Sequence, residues 1–218
     1  MNGPIDFYWK KRINKCKEAF EKNNFEVYTA DNINEVKKLI VNQIFPKIHV
    51  ESAAWGDSIS MLSSGIIDEI GRIPDIRLIK TFEEGVAREE IMERRRQALL
   101  VDVFLTGSNA VTETGKLINL DMVGNRVAGL IFGPQNVIIV VGRNKIVNGV
   151  EEAMERVKNY AAPINAIRHP GLKTPCVNTS YCMDCKSPDR ICNTWTITEK
   201  SYPKGRIKLI IVNEDLGL

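Results

Sequence analysis

Two rhythms of apolar residues alternate along the 218-residue chain, a helical spacing near every third or fourth position and short unbroken runs. From Ile5 to Asn23, Phe7, Tyr8, Ile13, Cys16, Ala19 and Phe20 recur at helical steps among lysines, which predicts an amphipathic helix ending at the Asn23-Asn24 turn. Phe25 to Thr29 reads as a short strand. Asp31 or Asn32 can then cap a helix whose apolar side is Val36, Leu39, Ile40 and Ile44. Val50 to Trp55 and Ile76 to Lys80 are further short strands, and Glu83 to Leu100 is a charged helix with Val86, Ile91, Leu99 and Leu100 turned inward.

Val103 to Leu105 is apolar without alternation, the mark of a strand covered on both faces. Lys116 to Leu120 is a brief extended piece, followed by Val127 to Ile131 before the Gly133-Pro134 turn. Asn136 to Gly142, NVIIVVG, is the clearest buried strand in the chain, a run of β-formers stopped by glycine. Val150 to Tyr160 predicts a helix burying Ala153, Met154, Val157 and Tyr160. From Ala161 the composition turns to proline, asparagine and cysteine, so residues 161–205 read as irregular, and residues 206–213, RIKLIIVN, add a late strand. Strands alternating with helices predict an α/β fold with a mostly parallel sheet and helices on both faces. Residues 1–218 are read as one domain, with a helical N-terminal part over residues 1–46.

Composition narrows the function. Hydrophobic and charged fractions of 44% and 26% are those of a globular chain. A net charge of +3 is too small for a nucleic-acid footprint, and Arg94, Arg95 and Arg96 follow Glu89, Glu90 and Glu93 as on a solvated helical face. No apolar stretch reaches the roughly 18 to 20 residues of a membrane helix, and the N-terminus lacks a signal-peptide core, so a cytoplasmic protein without membrane partners is expected. Nothing in the pattern fixes whether the chain self-associates.

Two glycine-hydroxyl loops follow strands. Gly56, Asp57 and Ser58 stand between a strand and an apolar-periodic segment, where backbone amides can meet a phosphate or carboxylate, or where Asp57 or Ser58 simply caps a helix. Thr106, Gly107, Ser108 and Asn109 follow the buried strand Val103 to Leu105, and in parallel sheets the carboxyl ends of strands are where ligands sit. Arg126, at a helix start, can hold a carboxylate or phosphate or pair with Asp121, and Lys145 stands at the end of the strongest strand. Together these predict a crevice for a small anionic metabolite.

The cysteines form a separate pattern. Cys16 reads as a core residue of the first helix. Cys176, Cys182, Cys185 and Cys192 are spaced C-x5-C-x2-C-x6-C, and four thiolates on one segment suit zinc or an iron-sulfur cluster, while free thiols or an oxidisable pair remain alternatives. His49 and His169 lie in no triad or ligand spacing.

Three blocks, WGDSISMLSSG, DVFLTGSNAVTETGKLINLDMVGNRVAGLIFGPQNVIIVVGRNKIV and TPCVNTSYCMDCKSPDRIC, resemble the LUD-domain family of lactate-utilisation (LutC-like) proteins over Ser52 to Cys192. The resemblance implies the three-layer NagB/RpiA/CoA transferase-like sandwich, a role in lactate or organic-acid utilisation, and iron-sulfur partner proteins of a lactate-oxidation complex. The cysteine segment itself carries the alternative, a non-catalytic iron-sulfur or zinc-binding accessory or assembly protein working through its four-cysteine loop. The 102–126 stretch is similar to a loop of methylthioribose-1-phosphate isomerase and its relatives, which maps a site onto Gly107, Asn109, Gly115, Asn119 and Gly124-Asn125. Those isomerases have a catalytic aspartate where Asn109 stands, and an amide has no acid-base role near neutral pH. CoA transferases of the superfamily use a loop glutamate as nucleophile, which makes Glu113 the catalytic candidate.

Overall fold

The computed structural model describes residues 3–218. In chain order they form α1 (Pro4–Lys22), β1 (Glu26–Ala30), α2 (Ile33–Leu39), β2 (Ser52–Trp55), α3 (Ile59–Ser63), α4 (Ile66–Ile70), β3 (Arg77–Ile79), α5 (Arg88–Gln97), β4 (Val103–Thr106), β5 (Ala110–Thr112), β6 (Leu117–Asp121), α6 (Asn125–Ile131), β7 (Asn136–Gly142), β8 (Ile146–Val147), α7 (Val150–Arg156), α8 (Ala162–Ile167), α9 (Cys176–Thr179), β9 (Thr194–Thr198) and β10 (Ile207–Val212). At the start of α2, Asn32 is the cap that the sequence offered, its side chain accepting from the Asn34 amide at 3.1 Å. Among the described residues no helix is long and apolar enough to cross a membrane.

Six strands make one sheet in the order β1-β10-β7-β4-β2-β3. Every pairing in it is parallel. The unbroken apolar runs follow from this, because a parallel sheet is covered on both faces and each strand must be apolar at odd and even positions alike. On β7 and β10, Ile138, Val140, Ile210 and Val212 pack with Val36, Ile40, Met61 and Ile66 of the α2–α4 layer. Their neighbours Val137, Ile139, Val141, Leu209 and Ile211 pack on the other face with Ile13, Cys16 and Phe20 of α1 and Leu130 of α6. The sheet is therefore an α/β sandwich with helices on both faces, as expected.

A second sheet, β8-β5-β6-β9, was largely hidden in the sequence. Its strands are two to five residues long, too short for periodicity to register. One of its faces covers α7 through Ala110, Ile118, Val147, Ala153 and Val157. From the other, Val111 and Leu117 join the α1 cluster. Cys16 is core, as read: its thiol donates to the Thr112 carbonyl at 3.5 Å, and burial pushes it up to about 12.

Several boundaries differ from the pattern reading. The charged helix begins at Arg88 rather than Glu83 and buries none of its residues. Ala98 and Val101, just beyond its end, are what pack inward, while Leu100 is 86% exposed. Tyr160 faces outward too, because a π turn over Val157–Ala161 shifts the helical register and carries α7 on into α8. The composition change at Ala161 is thus no helix end, since the helix runs on from the π turn through Pro163 in the first turn of α8.

Candidate functional site

β2 and β4 are neighbours, with β3 on the far side of β2 and β7 on the far side of β4, so the loops leaving β2 and β4 diverge at a switch point of the sheet. A cavity of about 400 Å³ opens there. Its walls include Asp57, Ser58, Gly107, Ser108, Asn109, Arg126 and Lys145 of the residues singled out from sequence, with Arg95, Asp121 and Arg168 from more distant segments.

The two glycines act by absence of a side chain. A Cβ on Gly107 would fall 2.4 Å from the Ser58 hydroxyl, and one on Gly56 would fall 2.9 Å from Cγ of Arg126. Their job is to let the two loops and Arg126 close on one another. Ser58 caps α3, its Oγ accepting from the Met61 amide at 3.3 Å. The Asp57 carboxylate instead pairs with Arg168, with the His169 ring 3.9 Å away.

Arg126, 7% exposed, is the centre of a fixed lattice. It donates to Asn119 Oδ1 at 2.7 Å, Asn109 Oδ1 at 2.9 Å, the Leu120 carbonyl at 3.1 Å and the Gly107 carbonyl at 3.3 Å, and lies 3.4 Å from Asp121. Asn109 completes the lattice by accepting from the Leu120 amide at 3.0 Å. Its amide is thus a bracket between β6 and Arg126, a task an acid would do no better. Asn119 lies behind the wall, fully buried, and holds the Asn109 amide at 3.2 Å. Ser108 is buried and spends its hydroxyl on the Ala110 and Ile118 carbonyls.

Two wall cations differ from Arg126. Lys145 sits in the turn after β7, 5% exposed, with Nζ 3.2 Å from the Ser60 hydroxyl. Burial, followed by the like charges of Arg156 and Arg126, pushes its amine down to about 7. Arg95 lies over the Phe82 ring at 4.7 Å and reaches the Thr81 carbonyl at 3.4 Å. Among the described residues neither cation is ion-paired to a carboxylate. An amine that titrates near neutrality can hold an anion when charged and accept a proton when neutral.

Glu113 and Gly115 are placed elsewhere. The Glu113 carboxylate receives Arg12 at 2.5 Å and Lys15 at 2.6 Å, both from α1. Burial pushes this carboxyl up, but the bonds from Lys15 and Arg12 outweigh it and hold it below its ordinary range. A group so occupied, outside the cavity, anchors a helix and is not positioned as a nucleophile toward the cavity. Gly115, at φ +80, lets the β5–β6 turn touch the Ala19 backbone, where a Cβ would lie 2.7 Å away.

Arg95, Arg168 and the wall made by α8 were not legible as site residues. Arg95 sits in a basic run that looks solvated, and Arg168 meets Asp57 across 111 positions. Cys176, Cys182, Cys185 and Cys192 line a different, smaller cavity on the other side of α8. As placed, no group of three His, Cys, Asp or Glu among the described residues could hold a metal ion.

The chain is thus an α/β protein whose crevice lies beyond the carboxyl ends of β2 and β4, at the switch point of its parallel sheet. The family model of the LUD domain matches residues 13–212, and the chain belongs to that family. Among solved structures it is similar to a DUF162 family protein from Deinococcus radiodurans, at 17% identity over 94% of this chain and 97% of that one, with a TM-score of 0.49. The comparison with curated proteins gives no match.

Proposed function

We propose that the cavity binds a small anionic metabolite, a carboxylate or a phosphorylated compound, in the utilisation of lactate or a related organic acid. The observation that carries this reading is Lys145, a nine-tenths buried cation on the cavity wall that has no carboxylate among the groups acting on it in the described residues. A buried charge without a partner is costly, and a ligand anion is the group that would relieve it. The remaining wall charges agree, since Arg95, Arg126, Lys145 and Arg168 outnumber Asp57 and Asp121. The volume of about 400 Å³ suits a metabolite and falls within the usual range of small-molecule sites. The pathway itself rests on the family resemblance alone.

Calorimetric titration with lactate, pyruvate, inorganic phosphate, sugar phosphates and CoA esters tests the reading. At least one of these compounds binds, and Lys145→Met weakens it by roughly tenfold or more, the loss of about one charge-assisted bond. Absence of binding by every compound, or binding indifferent to Lys145→Met and Arg95→Ala, overturns it.

A further inference from the structure

The Lys145 amine lines the larger cavity and donates to the Ser60 hydroxyl on α3 at 3.2 Å. Ser60 is fully buried and spends its own proton on the Leu216 carbonyl at 3.2 Å. The hydroxyl oxygen therefore only accepts from the amine, and the lone pair of a neutral amine stays unspent on it. The chain closes tightly around this pair. Gly217, at φ +61, brings its backbone so near that a Cβ there would fall 2.7 Å from Ser60 Oγ and 3.4 Å from Lys145 Nζ.

The surroundings favour that neutral form. Burial, then the like charges of Arg156 at the end of α7 and Arg126 on α6, push the amine down to about 7, so a large share of it is unprotonated near neutrality. A desolvated neutral amine beside cationic groups is a nucleophile toward carbonyl carbon. The guanidinium groups of the wall stay charged and have no such reactivity. They suit the other half of a ligand. Arg95 lines the same cavity over the Phe82 ring at 4.7 Å, and its planar fork matches a carboxylate.

We propose that Lys145 forms a reversible imine with a 2-oxo acid whose carboxylate lies on Arg95, an assignment that rests on the anion-binding reading of the cavity. The step balances without a co-reactant. The amine lone pair adds to the C2 carbonyl carbon and one amine proton passes to the carbonyl oxygen, giving a carbinolamine. Its hydroxyl leaves with the second amine proton as water, a C=N bond replaces the C=O bond, and the imine nitrogen takes up one proton from solvent. Nothing is oxidised or reduced, and water reverses the step. A 2-hydroxy acid has no carbonyl at C2, so it is held as an anion only. The site thereby separates the oxidised member of such a pair from the reduced one by a covalent bond.

The test incubates the whole chain with pyruvate and cyanoborohydride, which reduces an iminium to a stable secondary amine, and reads intact mass and peptide maps. One adduct per chain, on Lys145, is expected with pyruvate and none with lactate. Acetone, which lacks the carboxylate, labels at least about tenfold more slowly, and Arg95→Ala removes this preference. Lys145→Arg keeps the charge and abolishes the label. Label scattered over surface lysines, or a Lys145→Arg variant labelled as fast as wild type, overturns the imine. Equal labelling by pyruvate and acetone in the wild type overturns the 2-oxo acid assignment. Calorimetric anion binding without a label on Lys145 overturns the imine alone, and the absence of both overturns the anion site with it.

Discussion

Glu113 and Lys145 are both buried charged groups at the margins of the β5–β8 pairing, and they differ in company. The carboxylate has two cations from α1 against it, while the amine has a serine hydroxyl and two repelling guanidinium groups. The first is a finished interaction that holds a helix to a sheet. The second leaves an electrostatic deficit facing a cavity. What separates a structural charge from a binding charge here is whether the chain completes the pair itself, and burial alone does not tell them apart.

Breaking the finished lattice has the largest effect. Arg126→Met removes the guanidinium donor from the Asn109 and Asn119 oxygens and from the Gly107 and Leu120 carbonyls. A loss of about 3 to 5 kcal/mol is expected in denaturant unfolding, together with loss of anion binding. Next, Glu113→Gln strips Arg12 and Lys15 of their partner and costs about 1 to 3 kcal/mol. Anion affinity stays within twofold of wild type, and a larger change would merge the two regions that the comparison keeps apart.

The pH dependence sharpens the contrast through separate windows, because both depressed groups make stability rise with pH, the carboxyl in acid and the amine at and above neutrality. The Lys145 amine is depressed from 10.5 to about 7, so between those values the unfolded chain holds a proton that the folded chain lacks. Stability from this group therefore rises with pH across that window, by at most about 1.4 kcal/mol per unit, and Lys145→Met abolishes the rise. Glu113 is depressed from 4.5, so its contribution is present above that value and is lost as pH falls through the lower folded one. Anion binding draws a proton onto the Lys145 amine above pH about 7, so the affinity falls with rising pH there. The smallest effect belongs to Asp57→Asn, which frees Arg168 toward the cavity and strengthens anion binding a few-fold, as expected for a half-exposed pair worth about 1 kcal/mol or less.

The parallel sheet was readable because β4, β7 and β10 are buried on both faces and so are apolar at most odd and even positions alike. Gly56, Ser58 and Gly107 were readable because they stand directly after β2 and β4, and Arg126 because it opens α6. The anomaly at Lys145 was not, since Ser60 and Arg156, which define its surroundings, come from other segments. Glu113 misled for the same reason: its partners lie 101 and 98 positions away. Strands such as β5 and β8 are fixed by register with their neighbours and carry no period of their own.

The π turn at Val157–Ala161 makes α8 a party wall. Ala161, Asn165 and Arg168 line the larger cavity, and Lys158, Ala162 and Pro163 line the smaller one with the thiols. One rigid rod of helix therefore serves two chambers, and turning it to widen one narrows the other. Neither chamber can be redesigned on its own, and whatever fills one sets the dimensions of the next.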